Sequence, residues 1–364
     1  MSHITSGSVH AFYLFDVAQA IDLAALRRQF GDRAGVAQLQ DKSPGPPRVR
    51  YFQPPVIVDG GAVGLATLDG FRVRVKFYDY GVISLMLSQP FSGGWADLVR
   101  LGQELIESEP LEAEASAACM RLVDSIRGAL SGVRPTFLSE DYLAFIVSGL
   151  DRKPNADEIL EEHGGDIAQL LRGERQRLSL QERDDVLRHR LSYLTEDLVV
   201  PAYNAAFILD SDPGALASLE ILEFVNSQLL EFRYHDELLE SELTSIYTTL
   251  QRPRWIDRWF GRRHTLAARR LHSLFIDVNE LADRMENAVK LVGDVYSARL
   301  FNLAAARVGL DAWKRNVEDK LKTLDDIYRF AVEQTGMSQG NILELVIVLI
   351  LVLELFLLLA GIMK

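Results

Sequence analysis

Seven arginines and two tryptophans crowd the stretch from Arg252 to Arg270, the one basic and aromatic place in an acidic chain. The guanidinium groups of Arg252, Arg254, Arg258, Arg262 and Arg263 suit phosphate oxygens. Trp255 and Trp259 suit stacking on bases or lodging at a lipid interface. Residues of these types in this order fit the phosphates of RNA or of lipid headgroups. They also fit a solvated helix-hairpin tip whose tryptophans pack locally and whose arginines pair with Glu237, Glu240 and Glu242, a reading that needs no external partner.

A second pattern is a pair of acids in an apolar run. Ile342 to Met363 reads ILELVIVLILVLELFLLLAGIM, and Glu344 and Glu354 are its only charges. As a helix the run is about 33 Å long, enough to cross a hydrocarbon core of roughly 30 Å. The expectation is a tail anchor, with everything before residue 341 on one side of a membrane. The alternative is a very apolar helix buried in a soluble oligomer. An acid in mid-span must face another protein surface, hydrogen-bond a neighbour or stay protonated, which points to Glu354. The two acids fall about 80° apart on a helical wheel, so the span is expected to gather several copies, acid side inward. Glu344 by itself also fits a place in contact with water at the membrane surface.

Other chemistry is hard to find. The seven histidines show no metal-ligand spacing, and no phosphate-loop, dinucleotide or Gly-x-Ser-x-Gly pattern occurs. Gly60-Gly61-Ala62-Val63-Gly64 reads as a turn between strands. Cys119, the single cysteine, lies in an apolar helical pattern and reads as a structural thiol in a reducing compartment. No catalytic residue, cofactor, metal or small-molecule substrate is implied. A site of scattered residues in the N-terminal part is the form an enzyme would have to take.

The elements that must carry these groups follow from composition and periodicity. The 364 residues are 48% hydrophobic and 25% charged, enough for two or three folded units. A net charge of −12 argues against a general affinity for nucleic acid or anionic lipid. The first twenty residues hold no Lys or Arg, unlike a signal peptide or an Arg-rich presequence. With the apolar tail, this suggests a cell inner membrane with the N-terminal part cytoplasmic.

Residues 1–211 read as an α+β head. Strands are expected at 11–17, 55–59, 72–78, 82–88, 142–147, 198–200 and 205–209, and helices at 21–30, 95–107, 111–130, 154–172 and 180–190. The alternation of Arg72, Arg74 and Lys76 with Val73, Val75 and Phe77 marks a half-buried sheet face, and Asp79-Tyr80-Gly81 joins it to the next strand as a hairpin. Strand order does not follow from the pattern.

Residues 212–341 read as a coiled-coil stalk. Leu222, Val225, Leu229, Phe232, Leu239, Leu243, Ile246 and Leu250 keep heptad spacing. A second series runs from Leu271 to Val295, and a third from Leu310 to Ala331. The join at 251–264 makes the first two helices antiparallel neighbours with a hairpin tip. The membrane helix is placed at 342–363.

Three stretches resemble the family called required for meiotic nuclear division, of Rmd/Sif type, in a bacterial form. They are Phe77-Tyr-Asp-Tyr-Gly-Val-Ile-Ser-Leu85, the helical segment from Leu222 to Asp236, and the Leu343-Glu344…Glu354-Leu tail. The resemblance implies a non-catalytic, membrane-anchored, self-associating protein, and, from the mitochondrial members, support of translation by tethering ribosomes. This chain lacks their presequence. The expected function is therefore a tail-anchored scaffold of several copies, with RNA or ribosome docking through the Arg/Trp tip as one alternative and a membrane-held enzyme as another.

Overall fold

The computed structural model describes residues 2–36, 53–65, 67–106, 108–250, 276, 278, 279, 295–327 and 329. It divides into two compact units. One holds Met1–Tyr234 with Leu281–Lys314, and the other His235–Glu280 with Arg315–Lys364.

The first unit is built on a nine-stranded mixed sheet. In chain order the strands are β1 (Ile4–Ile21), β2 (Ala34–Val36), β3 (Val56–Asp59), β4 (Thr67–Leu68), β5 (Phe71–Phe77), β6 (Val82–Gly93), β7 (Leu130–Leu150), β8 (Leu198–Pro201) and β9 (Ala205–Leu209). Their spatial order is β2-β3-β5-β6-β1-β7-β9-β8, with β4 paired to β5. Every pairing is antiparallel except β7 with β9. The long β1 runs between β6 and β7 and organises the sheet.

Alternation along β1 assigns its two faces. Val9, Ala11, Tyr13, Phe15 and Val17 join one apolar core with helices α1 (Leu23–Phe30), α2 (Trp95–Ile106), α3 (Glu109–Ser125) and α4 (Ala156–Arg172). His10, Phe12, Leu14 and Asp16 are also buried, on the opposite face. That face meets α6 (Asp212–Leu250), which follows α5 (Leu180–Arg188) and the β8–β9 hairpin. Helix α7 (Val295–Arg307) packs its Phe301 ring 6.1 Å from that of Phe224 on α6.

Local signals place the helix ends. Asn155 and Glu158 form a reciprocal capping box at the start of α4, and Gly173 closes it in the left-handed region. Asp22 and Ser179 cap α1 and α5 through Ala25 N and Glu182 N. The expected hairpin forms between β5 and β6, and the five expected helices of the head appear with shifted ends, while the second heptad series, Leu271 to Val295, lies almost wholly outside the described residues. The half-buried reading of β5 holds only in part. Arg72 and Arg74 are exposed, but Lys76 is buried beneath α6.

Helix α6 is 39 residues long, about 58 Å, and it contributes to both units. From Ile221 to Phe232 it is buried on every side. The heptad positions Leu222, Val225, Leu229 and Phe232 thus fill the interior of the sheet unit itself. In the second unit Lys320 reaches Asp236 at 3.0 Å and Glu240 at 2.8 Å, and Leu239, Leu243, Val317, Leu321 and Leu324 are buried.

The membrane part of the expected fold class is corrected. Among the described residues no helix is long and apolar enough to cross a membrane. The longest, α6, is crossed by Glu220, Glu223, Glu231, Arg233 and Asp236, charges that a hydrocarbon core would not accept without partners. The single transmembrane helix therefore drops out of the fold class, and the membrane and tail-anchor assignments go with it. Residues 342–363 lie outside the described residues.

Candidate functional site

The side chains singled out by sequence do not form the described site. Glu344, Glu354, Arg252, Arg254, Trp255, Arg258, Trp259, Arg262 and Arg263 all lie outside the described residues. Cys119 is fully buried and burial pushes its thiol pKa up, so the reactive thiolate is suppressed. Among the described residues no group of three or more His, Cys, Asp or Glu could hold a metal ion.

A nucleophile-base-acid arrangement appears instead between Ser2, ahead of β1, and α4. Ser2 Oγ lies 3.0 Å from His163 Nε2, and His163 Nδ1 lies 3.0 Å from Asp166 Oδ2. The indole of Trp95 stacks on the imidazole at 4.3 Å. The distances fit a hydroxyl activated by an oriented base. Access does not fit, because Ser2 is 4% and His163 2% exposed, while Asp166 faces the solvent side. Sequence could show His163 and Asp166 one turn apart on α4, but not the serine 161 residues away.

The larger constellation is the polar seam between the sheet and α6. Lys76 on β5, Ser84 on β6, Leu14 on β1 and Glu140 on β7 stand in one cross-strand row. Lys76 Nζ donates to Glu223 Oε2 of α6 at one end, and Arg233 Nη1 of α6 donates to Glu140 Oε2 at the other. The two ties have opposite polarity. Reversing the helix over the row would set Lys against Arg and Glu against Glu, so the charges fix its direction as well as its place.

Further contacts extend the seam. The hydroxyls of Tyr80 and Ser227 are 2.7 Å apart. Arg134 reaches Asp16 at 3.2 Å and donates to Tyr234 Oη at 2.7 Å, with its guanidinium 3.6 Å from the centre of the Tyr234 ring. Burial pushes Asp16 up to about 6 even though Arg134 favours its charged form. Burial also raises Glu140, against the pull of Arg233. His10, whose Nε2 is 2.8 Å from Ser8 Oγ, is pushed down to about 4 by burial and by the charge of Arg74. Lysine, acid and arginine here act as fasteners.

Comparisons with known proteins concern the sheet unit. The family model described as "Uncharacterized protein MJ0711, N-terminal domain" matches residues 6–215, from β1 to the start of α6. A relative, the uncharacterized protein MJ0711 of Methanocaldococcus jannaschii, is 27% identical over 206 residues. That match covers 57% of this chain and 62% of the relative, so it spans less than two thirds of the relative's length. No solved structure matches. Neither comparison shows Rmd/Sif-type or bacterial membership. Because the family match takes in more than half of the chain, this protein belongs to the MJ0711 N-terminal-domain family, an uncharacterised one.

Proposed function

We propose that this protein is a non-catalytic, self-associating scaffold in which the sheet unit grips the first half of α6. The observation that carries the reading is the seam. Two ion pairs, Lys76 with Glu223 and Glu140 with Arg233, join the sheet to the helix, and the first is shut away from solvent, so the seam holds a helix rather than meeting a substrate. Self-association draws support from an exposed apolar corner of the same unit. Tyr193 is 73% exposed with its ring 5.5 Å from that of Tyr296, and the neighbours Leu194 and Val295 are 65% and 77% exposed. Aromatic anchors of this kind dominate the energetics of interfaces.

Light scattering across a range of concentrations tests the proposal. The expected result is a mass above that of one chain, reduced by the double change Tyr193→Ser and Leu194→Ser. A single-chain mass at every concentration removes self-association.

A hydrolytic reading is favoured by one observation, the Ser2–His163–Asp166 geometry. It ranks second because both reacting groups are buried. Kinship with the Rmd/Sif-type family is a finer proposal. Within the described residues it rests on the β5–β6 hairpin sequence and on the first half of α6. RNA or ribosome docking through Arg252 to Arg263 would extend it, and the residues concerned lie outside those described.

A further inference from the structure

Arg307, in the last turn of α7, is a partly buried guanidinium that meets no acid among the described residues. Its Nη1 lies 3.3 Å from His189 Nδ1, and its buried Nε has no hydrogen-bond partner among the described residues. The imidazole is a poor and contested acceptor, since the same Nδ1 lies 3.4 Å from the carbonyl oxygen of Asp185. If that nitrogen carries its proton toward the carbonyl, it presents a donor to a donor, and if it accepts from Arg307 the carbonyl contact is lost.

Nearby carboxylates do not relieve the charge. The Asp185 side chain is engaged by Arg188 at 3.5 Å. Asp311 is exposed beyond Gly309, whose φ of +72° breaks the helical path from Arg307. A guanidinium presents five donors in a planar fork, of which Arg307 places one on the imidazole of His189.

We propose that Arg307 and His189 form an oxyanion-binding site that takes a phosphate or carboxylate group. The oxyanion supplies the acceptors that the fork lacks, and His189 is released to donate to the Asp185 carbonyl. This goes beyond the scaffold reading and does not depend on it.

The full chain is titrated with sodium phosphate, and separately with sodium acetate, at ionic strength held constant with sodium chloride. The readout is the Nε–Hε resonance of Arg307, assigned by its absence from Arg307→Gln. We expect phosphate, acetate or both to shift that resonance saturably. At tenfold its Kd the effective anion raises the melting temperature by roughly 3 °C, a rise missing in Arg307→Gln. The two arms identify which group the site takes. If both anions leave the resonance where chloride leaves it, the proposal is overturned. Should Arg307→Gln fail to fold, a second assignment by Arg307→Lys keeps the wild-type titration decisive.

Discussion

Lys76 and Glu223, 147 residues apart in sequence, form an ion pair with side chains only 8% and 4% exposed. One partner lies on β5 and the other on the helix that crosses the opposite end of the same strand row at Glu140. Removing either charge strands the other in the interior. Lys76→Met alone should cost about 3 kcal/mol or more in urea unfolding, whereas Lys76→Met with Glu223→Leu should recover most of that loss. A single change costing under about 1 kcal/mol would show that water reaches the seam.

Two buried groups on β1 pull stability in opposite directions with pH. His10 titrates near 4 in the fold against 6.5 unfolded, so the unfolded chain binds more protons between those values and the fold loses stability as pH falls through them. Asp16 titrates near 6 against 3.8, so its contribution rises as pH falls through about 6 and is fully present below 3.8. Urea unfolding at intervals from pH 7 to 4 separates them. His10→Gln should gain on the wild type as the pH drops, by about 3 kcal/mol at most, and Asp16→Asn should fall behind it. Parallel pH profiles for wild type and both variants would refute the assignment.

Much of the sheet unit was legible because its signals are local. The alternation of Val73, Val75 and Phe77, the Asp79-Tyr80-Gly81 turn and the Pro154-Asn155 start of α4 each act within a few residues. What sequence concealed is nonlocal. The heptads of Leu222 to Phe232 look like a coiled-coil seam because a helix buried on all sides shows the same spacing, and only the sheet decides between them. Glu223, Asn226, Ser227 and Gln228 interrupt the apolar spacing of the same helix, yet each is at most 3% exposed. Lys76 likewise reads as solvent-facing until its partner on α6 is known. The seam depends on pairings between residues more than 90 positions apart, for which periodicity carries no signal.

The Ser2–His163–Asp166 cluster should behave as a staple. A fluorophosphonate probe, which reacts with activated serines, is expected to leave Ser2 unlabelled by mass spectrometry. Ser2→Ala should cost about 1 kcal/mol, the worth of one buried hydrogen bond. Stoichiometric labelling at Ser2 would instead promote the hydrolytic reading.

Two turn glycines should respond very differently to the same methyl group. Gly81, in the β5–β6 turn, has a φ of +96°, and a Cβ there would run into the Ala18 carbonyl oxygen of β1. Its own carbonyl accepts from Val17 N at 3.1 Å, so the turn cannot swing outward without breaking that bond. Gly70 has a φ of +82° but open space around it. Gly70→Ala should therefore cost only the backbone penalty, about 1 kcal/mol, while Gly81→Ala adds a steric clash and should cost several kcal/mol. Equal losses in urea unfolding would mean that the turn does not pack on β1 as described.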